Sequence, residues 1–102
     1  MPQVFAEAGC VYMAHSPLAR GVLASARPLP FAAGDYRGVM PALSIEGQAK
    51  IRQRAALNCI DIGGRDGLRS TLRWVLKQGA NVIAVVGARS AAQVNQAAAA
   101  LN

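Results

Sequence analysis

At 102 residues the chain is long enough for one small domain, and its 53% apolar content excludes a disordered polymer. It has no run of about 18 uninterrupted apolar residues, hence no candidate membrane span, and "MPQVFAEAGC" lacks the basic-then-apolar order of a secretory signal. The net charge of +6 is spread from residue 20 to residue 89, with only 50–54 (KIRQR) clustered and few aromatics beside it, so no nucleic-acid partner is expected.

Residues 2–8 read as the tail of a helix stopped by Gly9. Residues 11–14 form a short apolar run ended by Ser16 and Pro17, the pattern of a strand buried on both faces. From 24 to 43 three prolines and two glycines abolish periodicity, which predicts a long irregular loop. A helix is expected from Ser44 to about Asn58, with Ile45, Ala49, Arg52 and Ala56 along one side and Ile51, Ala55 and Leu57 adding apolar surface. After the break at 63–67, Asp66 is the expected N-cap of a second helix, whose stripe is Leu68, Leu72, Val75 and Leu76 and whose stop is Gly79.

Residues 82–86 are the clearest strand, apolar throughout. Ser90, with Gln93 three residues on, matches a capping box, so a last helix starts there with Val94, Ala97, Ala98 and Leu101 inward. Strands alternating with helices predict an α/β fold with a parallel sheet. Two apolar strands cannot cover themselves, so the pattern suits part of a larger sheet. Cys10 and Cys59 lack metal-ligand or CxxC spacing and are expected to be buried, reduced thiols of a cytoplasmic protein.

His15 and Ser16 invite a catalytic reading. Adjacent residues of a strand point to opposite faces, however, no carboxylate is singled out as a third member, and no G-x-S-x-G elbow is present. The turn after the first strand is better read as a strand-end ligand site, with Ser16 and the Gly21 backbone able to approach a phosphate. At the second strand end, Gly87, Ala88 and Arg89 lead into a helix N-terminus, a setting that favours an anion. G-x-G-x-x-G is absent, so this is no Rossmann site.

In order and spacing, "YMAHSPLARGVL", "GDYRGVMP", "LRWVLKQG" and "NVIAVVGARSAAQVNQAAAAL" resemble the C-terminal part of an aldo/keto reductase, over about residues 5–102. The resemblance implies a (β/α)8 TIM barrel binding NADP(H) in extended form, with this chain as its last two strand-helix units in one partial domain, 1–102. It implies that His15 stands where the family usually has an aromatic stacked on the nicotinamide. Ser16, Leu18, Gly21 and Leu23 would line the pyrophosphate. Gly87, Ala88 and Arg89 would hold the 2′-phosphate, while Gln93 and Gln96 would lie by the adenine. Ala97 departs from the family's asparagine. The family's catalytic Asp, Tyr, Lys and His lie on earlier strands; neither Tyr12, Tyr36 nor His15 matches them, so no catalytic residue is assigned here. The expected function is therefore the cofactor-binding segment of an oxidoreductase reducing aldehydes or ketones, not catalytic on its own because the resemblance sets the proton donor on an earlier strand. The alternative is a non-catalytic protein that associates with itself or with another barrel fragment, and a basic nucleic-acid binder is a distant third.

Overall fold

The computed structural model describes residues 2–25, 28–60 and 64–100. Helix α1 (Pro2–Glu7) leads into strand β1 (Tyr12–His15). Three 3-10 turns follow, Val22–Ala24, Tyr36–Val39 and Pro41–Leu43, giving the expected irregular segment short-range order. Helices α2 (Ile45–Leu57) and α3 (Gly64–Leu76) precede strand β2 (Val82–Val85) and helix α4 (Ala91–Ala99). The two strands pair in parallel, Tyr12 opposite Val82 and His15 opposite Val85, so the chain is α/β with a two-stranded parallel sheet.

Local chemistry sets most boundaries. Gly9, at φ +74°, closes α1: its amide donates to the Ala6 carbonyl, and that of Cys10 to Phe5, the double closure of a Schellman motif. Ser44 caps α2 by accepting the Gly47 amide at 3.0 Å. The far end of α2 repeats the Schellman closure with Cys59 in the left-handed position, at φ +58°. A non-glycine residue there carries strain of about 1–2 kcal/mol. Ile60, just beyond, packs with Ala55 and Leu23 in the core, the apolar contact that typically accompanies this motif.

The 3-10 turn Val22–Ala24 is the hub of the interior, in contact with both α2 and α3. Val22 and Leu23 are buried there, and Leu72, Val75 and Val82 complete the apolar interior around α3 and β2.

Several expectations are corrected. Neither strand is buried on both faces: Met13 is 55% and Ile83 51% exposed, because the helices cover only the opposite side of the sheet. On α2 the inward side is Gln48 and Ala55, with Ile51 and Arg52 half-buried, whereas Ile45, Ala49, Ala56 and Leu57 face solvent. Helix α3 begins at Gly64, so position 66 falls inside its first turn and not at the N-cap position. Gly79 lacks positive φ; it is small because an added Cβ would meet the Asn81 side chain at 2.7 Å. On α4, Val94 and Ala98 are exposed, Ala97 is half-buried and Ala100 is buried, while Leu101 lies outside the described residues. Cys10 and Cys59 are free but exposed, since both occupy helix-end turns.

The most buried polar side chain organises the long segment. Gln48, 1% exposed, receives the Leu29 amide on Oε1 at 2.7 Å. Its Nε2 donates to the carbonyls of Leu29 (3.1 Å) and Leu43 (2.9 Å). Gly47 lets α2 come this close: a Cβ there would collide with the Ala42 carbonyl. Gln48→Ala removes three hydrogen bonds and strands their backbone partners, so unfolding by urea should show a loss of about 3 kcal/mol. A loss below about 1 kcal/mol would show that the segment does not depend on this residue.

Candidate functional site

The C-terminal ends of both strands lie side by side, because the parallel register sets His15 opposite Val85. The turn after β1 is tightly wound. Ser16, Ala19, Arg20 and Gly21 all have positive φ, between 51° and 98°. The Leu18 carbonyl accepts the amides of Gly21 (3.1 Å) and Leu23 (3.1 Å), and Ser16 accepts that of Ala19 (3.0 Å). Three non-glycine residues in the left-handed region within five positions store strain, a concentration typical of functional turns.

That winding projects Arg20 toward the long segment. Its Nη1 donates to the Tyr36 hydroxyl at 2.6 Å, and its guanidinium carbon lies 5.6 Å from the Tyr36 ring centre. Arg37 follows. Its Nη1 donates to the Arg20 carbonyl at 3.4 Å, and its guanidinium carbon lies 4.7 Å from the Phe31 ring centre. Asp35 is the carboxylate partner: Arg37 reaches it through Nε (3.1 and 3.2 Å) and Nη2 (2.7 Å), and the Arg37 amide adds a bond at 3.0 Å. A fork on both carboxylate oxygens is the strongest geometry available to this pair.

The Arg37 side chain and amide hold the Asp35 carboxyl down to about 2 from 3.8, with the charges of Arg37 and then Arg89 acting in the same direction. The same contact raises the Arg37 guanidinium above its usual range. The Arg89 charge, after the second strand, adds the weakest of these effects on Asp35. Arg37 holds the Asp35 carboxylate directly, and Arg20 joins it through the bond from Arg37 to the Arg20 carbonyl.

The residues expected from sequence divide by what the fold does with them. His15 and Ser16 are exposed at the end of β1, and Gly87, Ala88 and Arg89 are exposed after β2. Leu18 is half-buried, Leu23 is a core residue, and Gly21 has its amide engaged within the turn; these three shape the turn. Gln93 completes a cap: its amide donates to Ser90 Oγ at 3.2 Å and its Oε1 accepts the Arg89 amide at 2.6 Å. That bond fixes the backbone of Arg89. Gln96 is exposed farther along α4. Arg20, Asp35, Tyr36 and Arg37 were missed by sequence reading; the usable signal was D-x-R beside glycines, an aspartate able to cap a turn and pair with an arginine two residues on.

Two open clefts of about 540 Å³ lie elsewhere, one by Gln3, Cys10 and Asn81 and one by Asn58, Arg69 and Trp74. The strand-end site is thus a surface cradle. Among the described residues no group of His, Cys, Asp and Glu suits a metal ion, and no helix is long and apolar enough to cross a membrane. No family model, curated protein or solved structure matches the chain.

The depressed carboxyl fixes a pH window. An acid whose folded value is lowered contributes stability above its unfolded value and loses it as pH falls through the folded one. Asp35 should keep its contact with Arg37 above pH 4 and lose it as the pH falls toward 2. A ¹³C titration of the Asp35 carboxyl should give a midpoint near 2, moving up toward 3.8 in Arg37→Ala; an ordinary midpoint in the unaltered chain would refute the pairing.

Proposed function

We propose that the chain is the NADP(H)-phosphate-binding segment of an oxidoreductase of the aldo/keto reductase kind, built as the last two strand-helix units of a TIM barrel. The observation that carries this reading is the pairing of the two parallel strand ends, with Arg20 in the turn after β1, Arg89 after β2, and Arg37 bonded to the Arg20 carbonyl. Ligands of parallel α/β folds bind at that end of the sheet, and planar guanidinium groups suit phosphate oxygens. The chemistry of the cradle fits the group: guanidinium donors are present for phosphate, and His15 offers an exposed planar ring.

In this reading Arg89, its backbone held by Gln93, contacts the 2′-phosphate. The turn bearing Ser16 and Gly21 lies along the pyrophosphate, and His15 packs against the nicotinamide over a smaller face than a larger aromatic would give. The bound cofactor would supply hydride to an aldehyde or ketone. No residue of this chain is assigned as proton donor, so the chain by itself is proposed to bind cofactor without turning over substrate. Two exposed free thiols suit a reducing compartment, and a cytoplasmic setting is part of this proposal.

Calorimetric titration with NADP⁺ should saturate within millimolar concentrations. Arg89→Ala should weaken NADP⁺ on the order of tenfold while leaving NAD⁺ nearly unchanged, because only the former carries the 2′-phosphate. No binding of NADP⁺ at millimolar concentration would overturn the reading.

The open sheet face favours a second reading, a self-associating protein without catalysis. Val11, Met13 and Ile83 are each more than half exposed on that face. Sedimentation should then show dimers or larger species whose amount rises with protein concentration. A monomer with a sharp, cooperative thermal transition at all concentrations would refute it.

A further inference from the structure

We infer that Asp35 is an internal stand-in for a ligand phosphate: its carboxylate occupies the Arg37 guanidinium until a phosphate-bearing ligand takes its place. The inference rests on the reading of the strand ends as a phosphate site, and adds to it a built-in competitor. Asp35 meets Arg37 as a ligand oxyanion would, with both carboxylate oxygens on the guanidinium at 2.7–3.2 Å.

The surroundings are more cationic than this contact requires. Asp35 brings one negative charge, while Arg37 also reaches the Arg20 carbonyl and Arg20 is bonded to Tyr36, so two guanidinium groups share one carboxylate's surroundings. A phosphate carries up to two charges and more acceptor oxygens, so it competes for the same donors with a stronger field. The Asp35–Arg37 contact is also local. The residues are two apart, both side chains are about one-fifth exposed, and their segment is fixed at Leu29 and Leu43 rather than at the pair. Exchange of the carboxylate for a phosphate therefore requires a side-chain rotation and a small turn adjustment, with the Gln48 anchor left in place. The Arg37–Phe31 stacking gives the guanidinium a platform on which to remain while its partner changes.

The consequence is an affinity reduced by the fraction of molecules in which Arg37 is already occupied. A positioning role for Asp35, orienting Arg37 toward ligand, predicts the opposite sign. Removing the carboxylate separates the two.

The test is calorimetric titration of the full chain with NADP⁺ and with inorganic pyrophosphate. Asp35→Asn should bind both several-fold more tightly than the unaltered chain, up to about tenfold. Asp35→Ser, which keeps a hydroxyl able to accept the Arg37 amide, should do the same, so a disturbed turn cannot explain the gain. In the unaltered chain saturated with NADP⁺, the ¹³C midpoint of Asp35 should rise from about 2 toward 3.8. Binding to the unaltered chain with no gain in either variant and an unmoved midpoint would overturn this inference and leave the proposed function standing. Weaker binding in both variants would overturn it in favour of a positioning role. No binding to any of the three proteins would overturn both.

Discussion

The arrangement of the strand-end surface depends on one buried amide. Gln48 offers an acceptor and a donor to the backbone of Leu29 as a neighbouring strand would, and its second proton takes the Leu43 carbonyl. A proline-rich segment has few amides with which to build its own ladder, so it needs an outside partner for its buried carbonyls. A single side chain on a regular helix supplies that partner at two points fourteen residues apart in sequence. Between those points the chain must return on itself, and the return carries Phe31, Asp35, Tyr36 and Arg37. The position of Arg37 is thus a consequence of hydrogen-bond satisfaction inside the protein.

A second constraint is backbone strain, and it falls on the turn that carries Arg20. Ala19 and Arg20 adopt left-handed conformations beside Gly21, where only the glycine does so freely. The compensation is next in sequence: Val22 is fully buried and Leu23 nearly so. Burial of two aliphatic side chains contributes a few kcal/mol, enough to hold the strained turn. The core and the cradle are therefore adjacent in sequence and coupled in energy, since the residues that anchor the hub also orient Arg20.

How legible this was depended on whether the signal was local. The Gly9 stop, the Ser44 cap, the two strands and the Ser90–Gln93 cap are encoded within four residues, and each was readable. The inward face of α2 was unreadable because the helix is apolar and polar by turns around its whole circumference; the deciding residue, Gln48, is polar, and Ile45 and Leu57 are left outside. An apolar stripe is a weak guide where a helix recruits a loop by hydrogen bonding. The burial of strands on both faces was over-read for a related reason: composition records what a strand can bury, and the two-stranded sheet has helices on one side only. The cradle was half legible. Arg89 follows from strand, glycine and cap, but the link from Arg20 to Tyr36 spans sixteen residues of loop, and no period or motif encodes it.

The two functional readings meet at His15. Alternation along β1 sets His15 on the same face as Met13, and the parallel register puts Ile83 directly beside Met13. That face is the open one, so the ring proposed to meet the nicotinamide borders the surface proposed to meet other strands. Whatever covers Met13 and Ile83 would also wall the cradle on its inner side and remove water from around His15. Exclusion of water strengthens every guanidinium–phosphate contact nearby, because the effective dielectric falls. Ligand and cover would then favour each other, and by linkage the preference is mutual. The shallow cradle and the uncovered sheet are in this sense one feature: the same two strands leave both the proposed phosphate site and the apolar face open, and a single partner surface would complete them together.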